Sequence, residues 1–293
     1  MGGEMDHFEV QAAIGELRDQ RGVQIEDLGR SVLGVHIPMI VLGEGERTVF
    51  FVGGIQGNEG AQTALLLAFV KEAVSLYGRG ATLFSFPLTY LFSQYRICVI
   101  PLLNPDGMQY VNKGPGAENP LRERLAAMSS GAGFAGWRAN ARGVDLTHNF
   151  GAGFLSQKRK EQALGIFGGR AVGYGGECPE SEPESAALAG CLRGCAQGLV
   201  GVLCLREGQE RIECSCEDNL SAKSMAVGRS LARLSALPLV RPELLPPDGG
   251  LGDWCIRALS RPAYSVFCQK GTAYLEALYA RVRRMLFTFP TLL

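Results

Sequence analysis

Apolar residues in this chain gather in short runs that stop at glycine or proline, and between the runs they recur at helical spacing. Val49-Phe50-Phe51-Val52 is apolar throughout and ends at Gly53-Gly54, the pattern of a strand buried on both faces. Residues Glu59 to Leu76 then combine helix-forming residues with a long apolar stripe, which predicts a helix. Strand, Gly-rich turn and helix make the first half of a parallel crossover unit. Tyr95 to Leu103 reads as a second buried strand, closed by Asn104-Pro105-Asp106-Gly107. That tetrapeptide predicts a turn, because Pro fixes φ and Gly accepts positive φ. Leu199 to Leu205 and Tyr264 to Cys268 are further strands, and helices are expected at about Glu182 to Gln197, Lys223 to Ser235 and Ala273 to Leu286. Gly78 to Phe92 and Gly151 to Gly176 read as irregular. With no repeat and no linker-like stretch, the alternation predicts one α/β domain over residues 1–293, around a parallel or mixed sheet.

Composition narrows the function classes. Hydrophobic residues make up 46% and charged residues 20%, enough for a sizeable core. The formal net charge is zero, so nothing in the overall balance points to nucleic acid or an anionic membrane. No apolar run reaches the roughly 20 residues that span a bilayer, and residues 1–7 lack a basic, apolar leader. The expected location is the cytoplasm. The nine cysteines form no paired CxxC set, so reduced, mostly buried thiols are expected. A replacement metal centre from Cys204, Cys214, Cys216 and Cys268 is a minor alternative.

Candidate chemistry lies where ligands gather in α/β sheets, at the C-terminal ends of strands. Gly53 to Gly60, Asn104 to Gly107, Leu205 to Glu210 and Phe267 to Gly271 all sit there, and Trp137 to Phe150 adds polar side chains beside aromatics. In order and interval these segments resemble the zinc carboxypeptidase family, the one containing carboxypeptidase A. They look closest to its bacterial γ-D-glutamyl-meso-diaminopimelate peptidases. Asn104-Pro105-Asp106-Gly107, the Trp137 to Phe150 stretch and Pro179-Glu180-Ser181-Glu182-Pro183-Glu184 match almost letter for letter.

The resemblance implies a twisted mixed sheet of about eight strands with helices on both faces. It also implies a zinc ion on two His and one Glu, with a fourth position for water. The family's His-x-x-Glu segment reads Gln56-Gly57-Asn58-Glu59 here, so Glu59 is the retained ligand position and Gln56 replaces a His. Arg206 stands where the second His belongs, and a guanidinium stays protonated and repels a cation. Phe267 occupies the position of the general base, so no catalytic residue is intact. Leu245 falls near the place of a family tyrosine. On the substrate side the resemblance offers Arg138 or Arg142, with Thr147 and His148, for binding a terminal carboxylate.

Two readings of each group stay open. Glu59 is either a residual ligand or a residue in the first turn of the following helix, near its dipole. It is also positioned to pair with Arg206 in the vacated zinc volume. Arg138, Asn140, Arg142 and His148 either bind ligand or satisfy polar groups beside Trp137 and Phe150. Pro179 to Glu184 reads as a helix start, with Ser181 or a neighbour as cap, or else as a functional acidic patch. The expectation is therefore a catalytically degenerate carboxypeptidase-like protein with no cofactor, which binds a peptide or a protein partner. The alternative is an active zinc peptidase cleaving cell-wall-type γ-D-glutamyl-diaminopimelate bonds.

Overall fold

A computed structural model describes residues 5–129, 131, 133–215, 221–240, 249–269 and 275–293. Leu245, Lys270, Gly271, Cys216 and the start of the expected last helix lie outside them. The strands are β1 (Val23–Arg30), β2 (His36–Leu42), β3 (Arg47–Val52), β4 (Thr82–Leu83), β5 (Phe86–Pro87), β6 (Tyr95–Ile100), β7 (Leu199–Glu207), β8 (Arg211–Ser215), β9 (Leu239–Val240) and β10 (Ala263–Cys268). The helices are α1 (His7–Gly15), α2 (Gly60–Gly78), α3 (Leu88–Gln94), α4 (Pro105–Lys113), α5 (Arg122–Met128), α6 (Phe154–Ala163), α7 (Pro183–Gly194), α8 (Ser221–Ser235), α9 (Leu251–Leu259) and α10 (Leu275–Leu292).

Eight strands form one mixed sheet in the order β1-β2-β6-β3-β7-β10-β8-β9, while β4 and β5 make a separate hairpin. The four apolar runs of the sequence are its centre. β6, β3, β7 and β10 lie side by side and parallel, so the loops after them open at one end of the sheet. β2 and β8 run antiparallel to these on either side. In β2, Pro38 has no N–H for the ladder, and the pairing with β1 shifts at Asp27/Gly29, opposite it.

Helices cover both faces. On one, α2, α8 and α10 pack on the sheet, and Phe51 of β3 meets Phe69 of α2 and Phe289 of α10 at ring distances of 5.2 and 5.6 Å. On the other, α7 and α9 bury Leu188, Leu192, Trp254 and Cys255 against Phe50, Val52 and Cys98. No helix among the described residues is long and apolar enough to cross a membrane.

Three sequence expectations change. Asn104 to Gly107 is the start of α4, not a turn: Asn104 caps it by accepting from Gly107 N, and Pro105 takes the first helical position, where its missing N–H costs nothing. The Gly151 to Gly176 stretch contains α6, and Gly78 to Phe92 contains the β4–β5 hairpin and the start of α3. Cys204 packs on one face of the sheet and Cys214 and Cys268 on the other, so the described members of the alternative cysteine centre do not converge.

Candidate functional site

The loop after β3 and the start of α4 are pressed together. A Cβ on Gly57 would lie 2.5 Å from the Gly107 carbonyl, and one on Gly107 would lie 2.5 Å from the Ala139 carbonyl oxygen. Only glycine permits that approach. The Arg138 carbonyl stitches the three segments, accepting from Gly57 N at 3.1 Å and from Asn104 Nδ2 at 3.2 Å. Local backbone packing thus places Gln56 and Glu59 beside the Trp137 to Phe150 segment.

Glu59 is completely buried. It sits at the N-cap of α2, but its side chain makes no cap hydrogen bond and turns back toward the strand ends. Its Oε2 accepts from Ile55 N at 2.9 Å and Gln56 N at 3.1 Å. Its Oε1 accepts from Arg206 Nε at 2.6 Å and Glu207 N at 3.2 Å. A carboxylate offers about four lone-pair positions, and four donors fill them. The pairing of Arg206 with Glu59 expected from the sequence is therefore present. Burial alone would lower the Arg206 pKa, but the charge and hydrogen bond of Glu59 raise it above its ordinary value. Gln62, on the first turn of α2, fixes the same strand end by donating to the Arg206 carbonyl at 3.2 Å.

Gln56 faces away from Glu59. Its Nε2 donates to both oxygens of Asp145, at 3.0 and 3.2 Å, and reaches Thr147 Oγ1 at 3.4 Å. Asp145 also accepts from Thr147 Oγ1 and N and from Gly173 N. Burial would push the Asp145 pKa up, but the electrostatic influence of the neighbouring His148 side chain and the hydrogen bonds of Gln56 and Thr147 hold it below the usual value. Asp145 is the site residue that sequence reasoning missed. The available signal was local: an Asp two residues before a Thr can accept the Thr N–H, as it does at the 3₁₀ turn Leu146–His148.

Phe267 stands opposite Arg206 on β7 and Arg211 on β8 in the sheet register. The Arg211 guanidinium carbon lies 3.7 Å from its ring centroid, and that of Arg206 lies 5.7 Å away. An aromatic face between two cations is favourable, but it can neither take a proton from water nor hold a metal.

The substrate-side candidates divide. Asn140 is buried, donates to Glu182 and Glu184 at 2.8 and 3.2 Å, and accepts from Arg142 N and Val144 N. Thr147 is buried against Asp145. Arg138 and Arg142 are exposed and His148 is half-buried. Arg142 reaches Glu182 at 3.4 Å.

The donor set does not fit zinc. The Glu59 oxygens are filled, the Arg206 guanidinium lies against one of them, and the Gln56 amide is spent on Asp145. Among the described residues no three His, Cys, Asp or Glu side chains are grouped to hold a metal.

The zinc carboxypeptidase family pattern matches residues 12–214. The chain is 28% identical over 247 residues to gamma-D-glutamyl-L-diamino acid endopeptidase 1 of Lysinibacillus sphaericus, covering 84% of this chain but 60% of that protein. It therefore spans less than two thirds of that relative's length. Carboxypeptidase A from Helicoverpa armigera shares the fold at TM-score 0.69 and 14% identity, over 98% of this chain and 73% of that one. Murein-tripeptide amidase MpaA from Escherichia coli O157 does so at TM-score 0.54 and 23% identity, over 94% of both chains. With most of its length matched by the family pattern, and with the sheet and motif order in place, this chain belongs to the zinc carboxypeptidase family.

Proposed function

We propose that this protein is a non-hydrolytic member of the family, which needs no metal and binds a peptide or a protein partner. The observation that carries the reading is the filled Glu59 carboxylate, with Arg206 Nε at 2.6 Å. A cation entering there would have to displace a guanidinium and leave it buried beside a second positive charge, which is prohibitive. Phe267 removes the proton acceptor independently. Of the substrate-side candidates, Arg138 and Arg142 are exposed and His148 is half-buried, and an arginine fork suits a peptide carboxylate. The balanced net charge gives no electrostatic drive toward nucleic acid, and we place the protein in the cytoplasm as one domain.

The competing reading, an active zinc peptidase, is favoured by the similarity to the Lysinibacillus endopeptidase. Measuring metal in protein purified without chelator, together with hydrolysis of a γ-D-glutamyl-diaminopimelate peptide, separates the two. Stoichiometric zinc with cleavage overturns the proposal. A thermal shift with that peptide and no cleavage supports peptide binding, whereas co-purification of a specific protein with no peptide effect supports the partner role.

A further inference from the structure

At the end of the sheet opposite the Glu59 centre, the starts of β3, β7, β10 and α8 frame a cavity of about 520 Å³. Small-molecule sites typically measure about 300–1,000 Å³. Leu199, Val200, Val227, Pro262 and Tyr264 give the cavity apolar walls. Its charged lining is of one sign. Arg47 begins β3, Lys223 lies in the first turn of α8, and Arg261 comes two residues before β10. No Asp or Glu is among the described residues that line it.

The two guanidinium groups are held in place but not neutralised. Arg47 Nη1 donates to the Tyr95 hydroxyl at 2.8 Å, and its guanidinium carbon lies 4.9 Å from the centroid of that ring. Arg261 Nη2 donates to the Ala196 carbonyl at 3.1 Å, and Nη1 to the Ser260 carbonyl at 3.4 Å. All of these acceptors are uncharged. Arg261 Nε is buried and has no hydrogen-bond partner in the protein, a costly state for a donor on a charged group. Lys223 differs, because its Nζ is committed to the Leu293 main-chain oxygen. Ser260, also in the lining, ends α9 in the left-handed region at φ 54° and ψ 42°. That conformation is strained for a residue with a side chain, and it turns the chain out of the helix and into the cavity wall at Arg261.

We propose that this cavity binds an organic anion with an apolar body, a carboxylate or phosphate head on a chain of several carbons. The head accepts from Arg261 Nε, the donor the protein leaves unpaired, and shares the cavity lining with the Arg47 guanidinium. The positive end of the α8 dipole adds to the same field. The body lies against Val200, Val227 and Tyr264. A neutral ligand would leave both guanidinium charges uncompensated, and a bare inorganic anion would leave the apolar walls in water. Because the cavity lies at the other end of the strands from Glu59, this site is independent of the peptide-binding reading.

The test titrates decanoate, decyl phosphate, decanol and inorganic phosphate into the full chain by calorimetry, with the amphiphiles kept below micellar concentration. Decanoate or decyl phosphate should bind about tenfold or more tighter than decanol or inorganic phosphate, and the tighter of the two identifies the head. Arg261→Gln should weaken that binding by about tenfold or more, the scale of a charge-assisted hydrogen bond, and Arg47→Gln by a smaller factor. Ala222→Trp, at an exposed position in the lining, should fill the cavity and abolish binding with both guanidinium groups in place. It decides the case if Arg261→Gln does not fold. Decanol binding as tightly as decanoate and decyl phosphate overturns the anion site, and inorganic phosphate binding as tightly overturns the apolar body. Failure of both charged amphiphiles to bind, or binding that Ala222→Trp leaves unchanged, overturns the proposal as a whole.

Discussion

Two regions at the same end of the sheet bury carboxylates by opposite means. At the centre, Glu59 meets a full positive charge, with Arg206 Nε at 2.6 Å and three backbone N–H groups completing its shell. Glu184, at the start of α7, takes its hydrogen bonds from neutral donors, Val32 N and the Asn140 amide, and lies near a second buried acid, Asp106. Burial then dominates and Glu184 rises to about 7, while Asp106 is raised for the same first reason. One region neutralises its acid with a partner and the other leaves the acid to find a proton. A centre held by an ion pair fails when one partner is removed, whereas a scaffold held by neutral amides responds to pH.

The largest effect should come from Arg206→Met, which leaves Glu59 buried without a counter-charge and is expected to cost about 3–5 kcal/mol in urea unfolding. Combining Arg206→Met with Glu59→Gln, which removes the buried charge and keeps an acceptor for the backbone N–H groups, should cost far less. If both variants lose the same stability, the ion pair is not what distinguishes the centre. In the second region the folded-state pKa of Glu184 lies above its unfolded value, so its contribution is fully present below about pH 4.5 and is lost as pH rises through about 7. We expect wild-type stability to fall by about 3 kcal/mol across that window relative to Glu184→Gln, read as thermal midpoints from pH 4.5 to 8. Parallel pH profiles would remove the contrast between the regions.

Asn140→Ala withdraws donors from Glu182 and Glu184 and acceptors from Arg142 N and Val144 N, for an expected loss of about 2 kcal/mol. It should also steepen the pH dependence, because Glu184 loses a neutral donor. Arg142→Ala should be the mildest change, under about 1 kcal/mol, since that guanidinium is half exposed and its contact with Glu182 is 3.4 Å long. Screening by salt should erase most of that effect and leave the cost of Arg206→Met nearly unchanged.

Much of the frame was legible because the central strands are buried on both faces and therefore apolar throughout. β3, β6, β7 and β10 fall on the runs read from the sequence, as do α2, α7 and α8. β1 was not legible: it is an edge strand whose residues are exposed or half-buried along its whole length, so no clean alternation marks it. α4 was hidden because Asn-Pro-Asp-Gly is equally good chemistry for a turn and for a capped helix start. The choice falls to the helix because the residues that follow bury Met108 and Tyr110. At the site, the meeting of Arg206 with Glu59 followed from family order, while the Gln56–Asp145 pair did not.

The sequence by itself determined that the segments resembling the family's site carry Gln56, Glu59, Arg206 and Phe267, one carboxylate and no imidazole, because side-chain type fixes what can ligate or take a proton. It could not determine what those side chains do instead. Gln56 and Asp145 are 89 residues apart, and Glu59 and Arg206 are 147 apart. Only the parallel centre of the sheet, with the close approach of Gly57 to Gly107, brings them within hydrogen-bond reach. The tertiary structure decided that Glu59 has every acceptor position occupied, and that Gln56 serves Asp145. Hydrogen bonds are satisfied in space, after chain segments far apart in sequence have packed.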